Sequence, residues 1–167
     1  KLMEGGRRND TLWRMVETNV RIPVQVFGDL RAQLAACNIA EMQFLDLVER
    51  HGKDATRHYM GAVIDYAERM TRAAIAQLPN GKWSFEDWID DDGVDRYQPI
   101  RLFCTVYKTG DTIKLDWDGS SPQVKGAINA TLSFTKAVSY AAVRSVLEGD
   151  IPCNEGLFRA IEVTAPE

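Results

Sequence analysis

Ala76-Gln77-Leu78-Pro79-Asn80-Gly81-Lys82-Trp83-Ser84-Phe85-Glu86-Asp87-Trp88 decides the fold, because the hydrophobic period changes within it. Upstream, Met60, Val63, Ile64, Ala67, Met70, Ala74, Ile75 and Leu78 recur at helical spacing, with Arg57, Glu68, Arg69 and Arg72 largely off that stripe. Pro79-Asn80-Gly81 is a turn signal, and beyond it Trp83, Phe85 and Trp88 alternate with polar residues. The period thus drops from about 3.6 to about 2, the change expected where helix gives way to strand.

Working back toward the start, the third helix spans about Asp54 to Leu78. A longer one precedes it, from Pro23 to a stop at Gly52, carrying Val26, Phe27, Leu30, Leu34, Cys37, Met42, Leu45 and Val48. Pro suits a first helical turn and Gly a C-terminal cap. A short first helix follows Asn9 and Asp10, either of which can cap it, and carries Leu12, Trp13, Met15 and Val16 to about Arg21. Two long amphipathic helices joined so tightly are expected to pack as an antiparallel hairpin.

Working forward, Ile100, Leu102, Cys104 and Val106 alternate, and Thr109-Gly110-Asp111 leads into Ile113, Leu115 and Trp117, a hairpin. A loop rich in Gly, Ser, Pro and Asn runs from Asp118 to Ala130. A helix spans Leu132 to Leu147, a loop Gly149 to Gly156, and a last strand-like run Leu157 to Pro166, with nothing after it to pair. The expected fold is α+β: a long amphipathic helical hairpin packed beside a small, mainly antiparallel sheet with one further helix. The expected segments are a helical 1–78 and a β-rich 79–167 with one helix, in one cooperative unit. The opening at Lys1 and the unpaired final run read as a fragment of a longer subunit.

Composition narrows the function classes. The 167 residues are 45% hydrophobic, 26% charged and 9% aromatic, a globular balance. Twenty Lys and Arg stand against 24 Asp and Glu, a formal charge of -4, so nucleic acid is not an expected partner. No apolar run approaches the roughly 20 residues of a membrane span. Cys37, Cys104 and Cys153 form no C-x-x-C pair and read as small hydrophobes in a reducing cytoplasm.

Four constellations bear on chemistry. The run Glu86, Asp87, Asp90, Asp91, Asp92, Gly93 fails as a calcium loop, since the register placing Gly sixth puts Trp88 first and Pro99 twelfth; a solvated turn is the expectation. His51 and His58 are separated by Gly52 and have no third ligand of matched spacing, so no metal site is assigned. No Ser-His-Asp or Cys-His arrangement is forced, and no catalytic residue is assigned. Gly28-Asp29-Leu30-Arg31-Ala32-Gln33 sits oddly inside a helix, where Gly costs up to about 1 kcal/mol relative to Ala. Something is expected to approach Gly28 closely. Asp29 and Gln33 share a face and Arg31 points elsewhere, all three being candidate substrate or partner contacts.

Asp116-Trp117-Asp118-Gly119-Ser120-Ser121-Pro122-Gln123-Val124-Lys125-Gly126-Ala127-Ile128-Asn129-Ala130 leaves a strand and enters a helix, a junction able to offer backbone amides to an anion. It lacks the phosphate-loop spacing. Asp118, Ser120, Ser121 and Asn129 are its candidate contacts.

Together with Asp150-Ile151-Pro152-Cys153-Asn154-Glu155-Gly156, these two stretches, in this order and at these separations, resemble the hydantoinase B/oxoprolinase family over nearly the whole chain. Trp117 stands where Phe is expected and Cys153 where an aliphatic residue is commoner. The resemblance implies a B-type subunit that works with a hydantoinase A-type ATP-binding partner on small cyclic amides such as hydantoins and 5-oxoproline. Its alternatives are a subunit of a ketone carboxylase acting on acetone or acetophenone, and a non-catalytic assembly module. ATP is implied on the partner and a divalent metal on a His and Asp motif upstream of the matched region, with no cofactor in these residues themselves.

Overall fold

The computed structural model describes residues 1–166. The chain forms two compact units, Lys1–Arg57 and His58–Glu167.

In the first unit, strands β1 (Met3–Glu4) and β2 (Arg7–Arg8) pair antiparallel through Gly5 and Gly6, both at positive φ, a hairpin too short for periodicity to reveal. Asn9 caps helix α1 (Asp10–Asn19), its Oδ1 accepting from Leu12 N at 3.3 Å, as the sequence anticipates. Pro23 opens helix α2 (Pro23–His51) and Gly52, at φ +79°, ends it. The core is small: Trp13 and Phe27 stack at 5.1 Å, and Trp13 Nε1 donates to Leu2 O at 3.2 Å. Most of the apolar stripe on α2 stays uncovered, Met42 being 63% exposed and Leu45 57%. Nothing among the described residues lies within 4 Å of where a Cβ on Gly28 would stand, so the close approach expected there is not found.

Helix α3 (Lys53–Ala76) carries the chain into the second unit. There a four-stranded sheet has the order β3-β4-β5-β6, from β3 (Gly81–Ile89), β4 (Ile100–Thr109), β5 (Thr112–Asp116) and β6 (Ile161–Thr164). The first three are antiparallel, with Gly110 at φ +59° in the β4–β5 turn. The last strand needs no later partner. It returns to pair parallel with β5, Ile113 opposite Ile161 and Asp116 opposite Thr164, after crossing through α4 (Leu132–Val146) and a short α5 (Glu155–Phe158). The α+β reading holds, with one parallel pair added to an otherwise antiparallel sheet.

The core of this unit joins Ile75 of α3, Ile113 and Leu115 of β5, Val143 of α4, Leu157 of α5 and Ile161 and Val163 of β6. The buried face of α3 is narrower than its apolar stripe. Ala67, Thr71 and Ile75, spaced by four, are wholly buried, whereas Met60 and Val63 are each 51% exposed. Thr71 is tolerated inside because its hydroxyl donates to Ala67 O at 2.8 Å. Strand β3 is exposed along its whole length, so its alternation marks a strand without a buried face. The cysteines depart from expectation: Cys37 and Cys153 are exposed and only Cys104 is partly buried. No helix among the described residues is long and apolar enough to cross a membrane.

Candidate functional site

The second unit holds a candidate site to which several of the sequence-predicted residues contribute together. It is built on the segment between β5 and α4. Where β5 ends, Trp117 N still donates to Thr164 O at 2.9 Å, and its indole Nε1 donates to the buried Ser139 hydroxyl on α4 at 3.1 Å. The chain turns at Gly119, φ +93°, where a Cβ would stand 3.1 Å from the Phe103 ring.

The two serines then take over from the missing strand. Beyond Thr105, strand β4 has no β5 partner, leaving the backbone groups of Arg101 and Phe103 to be satisfied. Ser121 N donates to Arg101 O at 2.9 Å and Ser121 Oγ accepts from Arg101 N at 2.9 Å. Ser120 Oγ accepts from Phe103 N and donates to Phe103 O, each at 3.0 Å. Small hydroxyl side chains suit this duty, since each hydroxyl both donates and accepts close to the backbone.

Asn129 closes the loop on itself. Its Oδ1 accepts from Val124 N at 2.9 Å, and its Nδ2 donates to Val124 O at 2.7 Å and Gly126 O at 3.2 Å. Asp118 lies exposed outside the cleft described below; its N–H donates to Asp116 Oδ1 at 3.2 Å. The Asp116 carboxyl is held below the usual range first by the Thr164 hydroxyl, 2.9 Å away, and then by that Asp118 N–H.

Between this loop, β4 and α4 lies a cleft of about 410 Å³. Ser120, Ser121 and Asn129 line it, among mostly apolar neighbours that include Ile100, Leu102, Trp117, Ile128 and Phe134. Concave, largely apolar surface with a few fixed polar groups is the usual form of a small-molecule site.

Two residues that the sequence does not connect, Asp92 and Gly126, shape this loop. Asp92, whose acidic run has the local pattern of a solvated turn, is instead only 8% exposed. Its Oδ1 accepts from Val94 N at 2.8 Å and Asp95 N at 2.6 Å, and its Oδ2 accepts from Gly126 N at 2.8 Å. These N–H groups, Val94 first and then Asp95, hold its carboxyl below the usual range. A Cβ on Gly126 would stand 2.0 Å from Asp92 O, so only glycine fits. The partners are 34 residues apart, and no local pattern announces such a contact.

The other candidates lie in the first unit. Asp29, Arg31 and Gln33 are exposed on α2, and the Arg31 guanidinium sits 5.9 Å over the Phe27 ring. Arg31 also borders a separate cleft of about 480 Å³ with Arg8, Arg14 and Trp13. Among the described residues no three His, Cys, Asp or Glu side chains are grouped to hold a metal ion. The carboxylates of Asp87, Asp91 and Asp92 are spent on nearby backbone N–H groups. These residues do not supply the ligand set that the family resemblance implies. Nor is Cys104 poised as a nucleophile, since burial, reinforced by Asp116, pushes its thiol up.

An α+β unit with a mixed sheet and a serine-anchored loop closing an apolar cleft defines a scaffold class, and comparison with known proteins places it. The chain belongs to the hydantoinase B/oxoprolinase family, which it matches over residues 1–167. It is 32% identical over 177 residues to a putative B-type D-/L-hydantoinase subunit of Pseudomonas sp. (strain NS671), covering 100% of this chain and 30% of that protein. It superposes on a crystal structure of an ATP-dependent caprolactamase from Pseudomonas jessenii with a TM-score of 0.80 and 28% identity, over 99% of this chain and 28% of that one. A nucleotide-free acetone carboxylase structure shares the fold, TM-score 0.78 at 17% identity, over 97% of this chain and 23% of that one. The chain thus spans less than a third of the length of these relatives.

Proposed function

We propose that this chain is part of the B-type subunit of an ATP-dependent cyclic-amide hydrolase of the hydantoinase or 5-oxoprolinase kind, acting in the cytoplasm with an ATP-binding A-type subunit. The observation that carries the reading is the family match across all 167 residues, joined to the whole-chain likeness to an ATP-dependent caprolactamase. An amide ring resists hydrolysis until its carbonyl is activated, and nucleotide on the partner subunit is suited to supply that activation. The role of this chain is to shape the surface against which the substrate or the partner lies, through the loop from Asp118 to Asn129. A divalent metal and its ligands belong to other parts of the assembly.

The test is the full-length subunit assembled with its ATP-binding partner. Ring opening of hydantoin, 5-oxoproline and caprolactam, with ADP release, is measured beside carboxylation of acetone with bicarbonate. ATP-dependent ring opening is the expected result. Carboxylation without ring opening would move the assignment to the ketone carboxylases, whose fold is shared. In the same assembly Ser121→Ala with Asn129→Ala is expected to lower turnover about tenfold, a barrier increase of about 1.4 kcal/mol. Four side-chain hydrogen bonds are lost, at about 0.5–1.5 kcal/mol each, so thermal unfolding of the double variant is measured beside its turnover and the comparison is made on folded protein. Wild-type turnover in that double variant would make the loop a plain connection.

A further inference from the structure

We propose that Asp92 is a positioning residue for the cleft, fixing through Gly126 the wall formed by Val124, Ile128 and Asn129. The proposal rests on the reading above and takes the first of its two alternatives, that the surface shaped by this loop faces the substrate.

The two oxygens of Asp92 have separate tasks. Oδ1 organises its own turn by accepting from Val94 N and Asp95 N, while Oδ2 reaches across to Gly126 N at 2.8 Å. The approach is as close as backbones allow, since a Cβ on Gly126 would meet Asp92 O at 2.0 Å and Asp92 Cβ at 2.8 Å. Both residues are buried, so water does not compete for the bond. From Gly126 the constraint passes directly into the wall: Asn129 Nδ2 holds Gly126 O and Val124 O, and Val124 N returns to Asn129 Oδ1. Val124, Ile128 and Asn129 all line the cleft. The neighbouring Lys125–Asp95 pair, at 2.8 Å with the lysine side chain 72% exposed, is the weak kind of contact that water and salt screen.

A carboxylate is required here for a chemical reason. Three N–H groups converge on its two oxygens, and an asparagine has only one acceptor. Asp92→Asn can keep the local turn, but its Nδ2 then faces the Gly126 N–H, donor against donor. That substitution cuts the long-range tie and spares the turn. Gly126→Ala breaks the same tie from the other side by overlap.

The experiment uses the full-length subunit in its complex and whichever substrate the wild type turns over. Asp92→Asn is expected to speed amide hydrogen exchange in the peptide covering Val124 to Asn129 about tenfold. It should raise KM about fivefold with kcat within about twofold, the pattern of binding lost equally from ground and transition states when a cleft wall is no longer held in place. Asp92→Asn combined with Gly126→Ala should be no worse than Gly126→Ala alone, because both remove one contact. Lys125→Ala should leave exchange and KM unchanged. Should Gly126→Ala fail to fold, Asp92→Asn carries the test alone. Unchanged exchange in Asp92→Asn overturns the latch. Faster exchange with an unchanged KM overturns the positioning role, while a wild-type complex that carboxylates ketones and opens no rings overturns the functional reading and leaves the latch standing.

Discussion

Gly156→Ala is expected to destabilise the protein by about 3 kcal/mol, lowering Tm by roughly 6–12 °C. The glycine is not held at positive φ, so strain in its own backbone is not the cause. Space is. A Cβ there would stand 2.0 Å from Ile64 O and 2.8 Å from Glu68 N, both backbone atoms of α3, where no side chain can swing aside. Relief requires α5 to lift from α3, which would uncover Leu157, 1% exposed in the core. It would also part Arg159 from Asp65 and Glu68, each 3.1 Å away. Gly61→Ala, on α3 itself, is the control. Nothing lies within 4 Å of its Cβ position, so it should stabilise by about 0.5–1 kcal/mol through helix propensity. Thermal unfolding of both variants decides the matter, and a Gly156→Ala protein melting within about 2 °C of wild type would show that the contact yields cheaply.

Gly156 also marks how far the sequence can be read. The Asp150 to Gly156 stretch stands out locally but reads as a loop running into a strand from Leu157, whereas the structure starts the short helix α5 there: Asn154 Oδ1 accepts from Gly156 N at 2.8 Å, and the strand begins only at Ile161. That α3 lies against Gly156 is a tertiary fact, with partners some ninety residues apart. The same division runs through the molecule. The change of period at Pro79, the turn at Gly110 and the caps at Asn9 and Gly52 are local physics, and the structure has them where the residues say. The parallel return of β6 onto β5 is not local, since a run of alternating residues carries no mark of its partner's direction.

The site divides likewise. Ser120, Ser121 and Asn129 are identifiable as unusual, and they line one cleft, but their hydroxyl and amide groups are engaged with the backbone rather than left free for a ligand. Asp92 is hidden in an acidic run whose local pattern is that of a solvated turn. Its burial comes from contact with a glycine in another loop. The loop in this region is therefore shaped by side chains that hold backbone in place, a duty that spacing in a sequence does not reveal.

The boundary between helix and sheet depends on such a side chain too. Lys108 stands on β4 opposite Ile113 and is only 4% exposed. An ammonium so placed costs desolvation unless its donors are matched. They are matched at the end of α3, whose last turn tightens as Gln77 N donates to Ala74 O and Leu78 N to Ile75 O. Lys108 Nζ donates to Leu78 O at 2.6 Å and to Asn80 Oδ1 at 3.0 Å, and Gly110 N adds a second donor to that Oδ1 at 3.0 Å. One cation thus caps a helix C-terminus, where the macrodipole favours positive charge, and ties it to the β4–β5 turn. Lys108→Met keeps most of the apolar stem and removes the donors. Leu78 O, which is half-buried, then loses its partner, and the cost is expected to be about 2 kcal/mol, in the range for hydrogen bonds to charged groups. Tm should fall by roughly 4–8 °C. Asn80→Ala should lose less, because Lys108 keeps Leu78 O and Gly110 N lies at an exposed turn. Equal melting of wild type and Lys108→Met would mean that desolvation of the ammonium cancels its hydrogen bonds, and that the turn at Pro79 is held by packing alone.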